Sequence, residues 1–355
     1  MPQKLLVTFE HLRDFMDRAF RAAGLPDADA HTVATLMAEA ELQGSDGHGA
    51  IRLTPYVRRI REGGVNKHPN IHVEREKPAM ALINGDNGMG HLVMKRAAEL
   101  AVEKARTAGV AWVGARLSNH AGPASLYARM ALPHDMIGLY LAVGNANHLP
   151  PWGGLTMLLS TNPIACAIPT GKEPPVVLYM ATTVAAYGKV KALAQRGEQM
   201  PEGWMVDRDG KPMTDPQRAA EGFLLPIGGH KGYGLALIIG LLAGTLNGAA
   251  MGHDVIDFNA DFKNVGNTGQ AILAIDPAAF GDLGEFKAAA VDTVVRDLRA
   301  SERMPGVERI WIPGEQSHEK RAANRQNGMS LPPQLAAALA KVAAELSIEP
   351  LQITQ

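Results

Sequence analysis

AMALIN (79–84), HLVMKRAAELAVEKARTAG (91–109), VAWVGA (110–115), SLYARMAL (125–132) and IGLYLAV (137–143) follow one another with short breaks, and their rhythm decides the fold. The short apolar runs read as strands. The longer segments, with apolar residues three and four apart, read as helices, and Gly109 closes the first of them. Strand, helix, strand, helix, strand is the pattern of an α/β sheet. Downstream, GNANHLPPWGG (144–154) and STNPIACAIPTGKEPP (160–175) read as loops, and the polar, Pro- and Gly-punctuated stretch 195–222 as a surface excursion, a lid or a subunit contact. GGHKGYG (228–234) then leads into the apolar run GLALIIGLLAGTLNGAAMG, broken by Asn247 and too short for a membrane span, so we expect a buried helix. AILAID (271–276) and IWIP (310–313) read as strands, 285–300 as an amphipathic helix, and SLPPQLAAALAKVAAEL (330–346) as a helix with Pro at its first positions.

Upstream, DADAHTVATLMAEAELQ (27–43) places Val33, Leu36, Met37 and Ala40 on one helical face, with Asp27 or Asp29 as N-cap and Gly44 past the end. SDGHGAIR (45–52) begins where that helix stops. His48 and Arg52 then lie on an exit loop, or on one face in the first turns of a next helix that carries Tyr56, Val57 and Ile60. The expected division is a helical domain of 1–75 plus 285–355 beside an α/β domain of 76–284.

Composition narrows the function classes. The 355 residues are 46% hydrophobic and 20% charged, with 35 basic against 36 acidic residues and no long basic run, which argues for a small partner and against nucleic acid or a membrane surface. A single cysteine, Cys166, cannot form an internal disulfide; its apolar setting suggests a small buried side chain, and a cytoplasmic location fits. The N-terminal MPQKLLVTFEHLRDF lacks the features of a signal peptide and is expected to stay on the protein.

The usual Rossmann, P-loop, zincin and α/β-hydrolase fingerprints are all missing. His68 and His72 have helical ligand spacing, but Pro69 between them opposes a helix, so no metal is expected. His31, His91 and His318 read as surface or hydrogen-bonded structural histidines. Four stretches differ, because each sets a titratable or donor group among small residues: SDGHGAIR, SNHAGPAS (118–125) with His120, GNANHLPPWGG with Asn145 and His148, and GGHKGYG with Lys231. An arginine can grip a carboxylate, a histidine can move a carbonyl proton, and an amide can hold a substrate oxygen. Lys231 at a helix start suits a phosphate. Together these groups point to a dinucleotide-dependent dehydrogenase.

SDGHGAIRLTPYVRRIREGGVN (45–66), SNHAGPAS, STNPIACAIP (160–169), MATTVAAYGKV (180–190), MVDRDGKPMTDP (205–216), LLPIGGHKGYGLAL (224–237), ILAIDP (272–277) and IPGE (312–315), in this order, resemble the malate/L-lactate dehydrogenase type-2 family over residues 10–330. The resemblance implies a non-Rossmann, mixed-sheet α/β domain that binds NAD or NADP, with helical N- and C-terminal segments packed together, in a homodimer. It implies hydride transfer between nicotinamide and a 2-oxo or 2-hydroxy acid, or a cyclic imino acid. His120 and His48 match the proton-transfer histidines, with His120 preferred as the proton carrier. Arg52, Tyr56 and Asn145 match substrate contacts. Tyr179, Met180, Ala181, Thr182, Thr183, His230, Lys231, Gly314 and Glu315 match stretches that touch the cofactor. Three positions depart from the family pattern: Gly47 in place of serine, Tyr179 in place of aspartate, and Gly240 in place of an acid. They leave open an altered substrate or a catalytically impaired, cofactor-binding paralogue; loss of a carboxylate near a histidine would lower the imidazole pKa.

Overall fold

Three helices open the chain, and local chemistry sets their ends. In the computed structural model, which describes residues 5–353, β1 (Leu5–Val7) leads into α1 (Phe9–Ala23). Met1–Lys4, residues 354–355 and the side chains of 195 and 196 lie outside the described residues. Thr8 caps α1 by accepting the His11 N–H at 3.1 Å, and Gly24 ends it at φ 106°. The face formed by Leu12, Phe15, Met16 and Phe20 is fully buried, worth roughly 1.5–3 kcal/mol per side chain. α2 (Asp27–Leu42) has Pro26 at its cap position and no side-chain cap. Asp27 and Asp29 lie inside the first turn, where their charge suits the helix dipole, so neither is the expected N-cap. Two single 3₁₀ turns, Asp46–His48 and Ala50–Arg52, precede α3 (Leu53–Glu62). Gly49, at φ −90° and ψ −134°, breaks the backbone between them, so His48 and Arg52 do not share one helical face.

β2 (His72–Lys77) and β3 (Met80–Asn84) form an antiparallel pair. α4 (Gly90–Ala108) then crosses to β4 (Val110–Ser118), which runs parallel to β3. α5 (Ser125–Ala128) is a single turn, because 3₁₀ geometry takes over at 129–134, where Pro133 stands. β5 (Ile137–Ala142), β6 (Ile164–Ile168) and β7 (Val176–Met180) follow as an antiparallel series. α6 (Tyr187–Arg196) is accompanied by a small sheet of β8 (Met205–Asp207), β9 (Pro212–Met213) and β10 (Gly222–Leu224), which occupies the expected surface excursion. After α7 (His230–Ala243), β11 (Thr268–Ile275) inserts between β4 and β5, antiparallel to both. The main sheet therefore has the order β2-β3-β4-β11-β5-β6-β7. A π-helix at Glu285–Val291 leads into α8 (Asp292–Ala300), and α9 (Glu315–Asn327), β12 (Met329–Leu331) and α10 (Pro333–Leu346) follow.

This is the mixed-sheet α/β fold with packed helical termini that the resemblance implies. One buried cluster joins α4 to the sheet through Ile83, Val93, Met94, Val113 and Tyr140. A second joins α1–α3 to β12 and α10 through Phe15, Met37, Tyr56, Met329 and Leu339. We propose that the two mark a helical unit and an α/β unit. α8 is tied to the latter, since the Asp292 carboxylate accepts the N–H groups of Gly171 (2.9 Å) and Lys172 (2.7 Å).

Several local expectations need correction. IACAI is not loop but β6: Pro163 and Pro169 flank the strand just outside its ladder, where a missing N–H costs nothing. VVLY, also not anticipated, lies in β7, and HVEREK forms the charged edge strand β2. IWIP is not a strand: Pro313 has no N–H, and the Ile312 N–H goes to the Glu315 carboxylate at 3.0 Å. The apolar helix α7 is buried on one side only; Ala236, Ile239 and Ala243 are enclosed, whereas Ile238, Leu241 and Leu242 are exposed.

Candidate active site

His120 is presented by a turn under visible strain. Leu117 has φ 48°, a rare value for leucine, held by its N–H donating to Asn267 Oδ1 and its carbonyl accepting the Asn87 N–H, both at 2.8 Å. Next in sequence, the buried Asn119 donates through Nδ2 to Gly88 O and Asn87 Oδ1 at 2.9 Å, and its Oδ1 accepts from Arg59 at 3.3 Å. Arg59, itself 1% exposed, also donates to the carbonyls of Gly64 (2.9 Å), Asn264 (3.0 Å) and Asp261. A single guanidinium thus clamps α3, the His120 turn and the 258–264 loop together.

The turn that carries His48 is anchored from below. The Glu41 carboxylate, buried at the end of α2, accepts the Ala50 N–H at 2.8 Å. Burial pushes the Glu41 pKa up to about 7. A Cβ on Gly49 would overlap that carboxylate, so glycine is required there for close approach. Arg52 donates through Nε to Gly47 O at 2.8 Å and through Nη1 to Asn259 Oδ1 at 3.3 Å. Among the described residues it has no carboxylate partner.

These two turns and β7 bring the predicted groups together. The His48 and His120 rings stack with centroids 5.3 Å apart, and Phe258 stacks on His120 at 5.4 Å. The Tyr56 hydroxyl hydrogen-bonds His120 Nδ1, and the Tyr179 hydroxyl lies 3.0 Å from His48 Nε2. Burial, with Arg52 nearby, lowers the His48 pKa to about 3. Burial lowers His120 well below the ordinary histidine value, with the His48 and Arg52 charges adding to the effect. Burial likewise raises both phenols, Tyr56 and Tyr179, well above the ordinary tyrosine value. At neutral pH the site therefore holds neutral imidazoles and phenols around one guanidinium.

Asn145 sits beside this cluster. Its Nδ2 donates to Thr268 Oγ1 and its backbone carbonyl accepts the Phe258 backbone N–H at 2.9 Å, so it ties down the loop whose Phe258 ring backs His120. His148 is stacked on Tyr187 at 4.1 Å and burial lowers its pKa to about 4.

The remaining positions form one continuous band. Gly314, at φ 94°, packs against Val177 of β7, and β7 runs on to Tyr179 and Met180. Ala181 continues it, and the Thr182 carbonyl accepts the Ile227 N–H at 3.0 Å, next to the turn before α7. Thr182 and Thr183 are buried, their hydroxyls donating to Thr161 O (2.9 Å) and Ala185 O (2.8 Å). Gly228 and Gly229 both have positive φ, and α7 begins at His230 with Lys231 exposed and without an acidic partner among the described residues. A helix N-terminus, two glycines that admit close approach and a free cation fit a dinucleotide phosphate. The Glu315 carboxylate, by contrast, is engaged inside the protein by Arg299 and Arg309.

The departures have distinct physical settings. A Cβ on Gly47 would meet nothing within 4 Å. A Cβ on Gly240 would overlap the Met251 thioether and press on Asn162, so the space beside this position is filled. The low histidine pKa values come first from burial, with the Arg52 charge adding to it.

Sequence reading missed Glu41, Arg59, Phe258 and Asn259, which support the site from polar or helical stretches without a glycine-rich signature, and it passed over Asn119 inside SNHAGPAS. It also misjudged His91, which is neither on the surface nor hydrogen-bonded. His91 is fully buried, edge-on to Tyr56 at 5.5 Å, with both ring nitrogens unpartnered and a pKa lowered by burial to about 3. Among the described residues no group of three or more His, Cys, Asp or Glu is placed to hold a metal, and no helix is long and apolar enough to cross a membrane.

Comparison with known proteins places this geometry. The family model for malate/L-lactate dehydrogenase matches residues 7–340. The chain is 40% identical to malate dehydrogenase from Pyrococcus horikoshii over 86% of either chain. It is 38% identical to L-sulfolactate dehydrogenase from Methanothermobacter thermautotrophicus over 92% of this chain and 93% of that one. The solved structure of the Pyrococcus horikoshii malate dehydrogenase superposes with a TM-score of 0.90 at 35% identity, covering 99% of this chain and 98% of that one. The chain belongs to the malate/L-lactate dehydrogenase family.

Proposed function

We propose that this protein catalyses reversible hydride transfer between NAD or NADP and a small 2-oxo or 2-hydroxy acid, with Arg52 holding the carboxylate and His120 handling the proton. As a member of its family the chain is an NAD(P)-dependent oxidoreductase. The single observation that carries the residue assignment is Arg52: its charge lies among neutral imidazoles and phenols and has no carboxylate partner among the described residues. A substrate carboxylate supplies that partner in a two-pronged, charge-assisted contact.

Bound NAD(P) supplies or accepts the hydride. Lys231 and the start of α7 would hold its phosphates, and the band from Gly314 through Tyr179 to Thr183 would supply the remaining contacts. The Tyr56 hydroxyl orients His120 through Nδ1 and leaves Nε2 for the reacting oxygen; a bound substrate carboxylate offsets the Arg52 charge, so the ring takes one proton from solvent, gives it from Nε2 as the carbonyl is reduced and returns to the neutral imidazole, and in the reverse direction the neutral ring takes the proton back. Phe258 and Tyr56 keep water from this point. With a ring nitrogen in place of the oxygen, the same groups serve a cyclic imino acid. Asn145 supports the pocket wall through Phe258.

We further propose a homodimer that covers the exposed apolar face of α7, with Ile238, Leu241, Leu242 and the adjoining Leu246 at its centre. Sedimentation velocity on wild type and Leu242→Glu tests it. The lone Cys166 supports a reducing, cytoplasmic location.

The test of function is loss of NADH or NADPH absorbance over a panel of 2-oxo acids and cyclic imines. Turnover of a panel member that Arg52→Ala weakens chiefly through KM supports the reading; tight cofactor binding without turnover of any member sinks it.

A further inference from the structure

Tyr179 and His48 are joined by one hydrogen bond whose direction can be worked out. The hydroxyl lies 3.0 Å from Nε2, with the two rings tilted by 57°. A neutral phenol has one proton to give, and burial keeps Tyr179 un-ionised. Among the described residues His48 Nε2 is the acceptor that hydroxyl reaches. If Nε2–H donated instead, the Tyr179 O–H would lose its acceptor among the described residues and the buried His48 Nδ1 would be an unmet acceptor as well, an unfavourable arrangement inside a protein. Tyr179 therefore donates and Nε2 accepts. A neutral imidazole with Nε2 as acceptor carries its proton on Nδ1, and His48 Nδ1 is itself buried without a partner.

His120 is wired the other way. The Tyr56 hydroxyl and the Gly122 N–H (3.4 Å) both approach Nδ1, which leaves the proton on Nε2. The two stacked rings thus keep their free N–H groups on opposite nitrogens. A carboxylate at position 179 would reverse the arrangement at His48, because it can only accept; Nε2 would carry the proton and the imidazolium would be favoured.

We propose that Tyr179 is a positioning residue that fixes His48 as the neutral Nδ1–H tautomer, making His48 a hydrogen-bond donor to the reacting oxygen and leaving proton delivery to His120. The tautomer follows from the geometry alone; the division of labour rests on the oxidoreductase reading above. In this arrangement His48 stabilises negative charge as it grows on the oxygen and keeps its own proton.

Long-range proton–nitrogen correlation spectra of protein labelled with nitrogen-15 histidine report ring tautomers directly, with His48→Gln to assign the signal. Wild type is expected to show His48 protonated at Nδ1 throughout neutral pH. Tyr179→Phe should lose that preference and lower kcat roughly 10- to 100-fold with KM nearly unchanged. Tyr179→Asp should move the proton to Nε2 and raise the pH at which His48 becomes charged, with the acidic limb of the rate profile following by roughly 1 to 3 pH units. An Nε2–H signal in wild type, or retention of Nδ1–H in Tyr179→Phe, would overturn the proposal. If the tautomers behave as expected and no panel member oxidises NAD(P)H, the Tyr179 assignment stands and the oxidoreductase reading falls.

Discussion

The Glu41 carboxylate and the Ala50 amide, 2.8 Å apart, couple the end of α2 to the turn that places His48 and Arg52. This coupling depends on pH. Burial raises Glu41 from 4.5 to about 7, so the folded protein keeps a proton there that the unfolded chain has lost. Stability from this group is full below pH 4.5 and falls as pH rises to 7, by about 3 kcal/mol. Glu41→Gln keeps an acceptor for Ala50 and removes the titration. Denaturant unfolding at pH 5 and pH 7 should show the wild-type loss over that interval nearly abolished in the variant.

His91 acts in the opposite direction. Its folded pKa of about 3 lies below the ordinary 6.5, so its contribution is present above pH 6.5 and lost as pH falls toward 3. Both of its nitrogens are buried without partners, which makes the imidazole a burden even when neutral. His91→Leu should stabilise the protein at pH 7 by about 1–3 kcal/mol and flatten the acid limb of stability. Thermal unfolding between pH 4 and 7 checks both effects; a variant less stable than wild type at pH 5 would refute this account of His91.

Arg52→Ala should raise KM for a carboxylic acid substrate roughly 10- to 100-fold, the value of a lost charge-assisted contact, with a smaller effect on kcat. His120→Ala should instead lower kcat by roughly 10² to 10⁴ and leave KM closer to wild type. Steady-state kinetics on the two variants separates binding from proton transfer, and an identical pattern in both would show the roles misassigned.

Gly47→Ser and Gly240→Glu introduce the side-chain types that the family pattern has at these positions, and the structure predicts different outcomes. A side chain at 47 enters open space, so Gly47→Ser should fold and melt like wild type. At 240 it meets Met251, and overpacking of this kind costs about 1–3 kcal/mol. Met251→Ala in the same chain should recover much of that loss, which melting temperatures of the single and double variants will show.

The α/β rhythm and the four glycine-set stretches were legible because each rests on local pattern, and the structure brings His48, Arg52, Tyr56, His120 and Tyr179 into one cluster. What escaped was non-local. That β11 inserts between β4 and β5 is settled by packing more than 120 residues away in sequence. Phe258 backs His120 from a polar loop with no motif of its own, and Arg59 looks like any basic residue on an amphipathic helix. β6 was hidden by its flanking prolines, which read as loop punctuation until the ladder shows where hydrogen bonds are required.

The pairing of β1 with β12 sets Leu5 against Leu331 and Val7 against Met329. In a chain made from its N-terminus onward, β1 waits for β12. The cluster that encloses Tyr56 includes β12 and α10, so the surroundings of Tyr56 are completed only once those segments have been made, whereas the sheet that bears Tyr179 can form earlier. The order of synthesis thereby delays the enclosure of Tyr56 until residues 329–346 have been made.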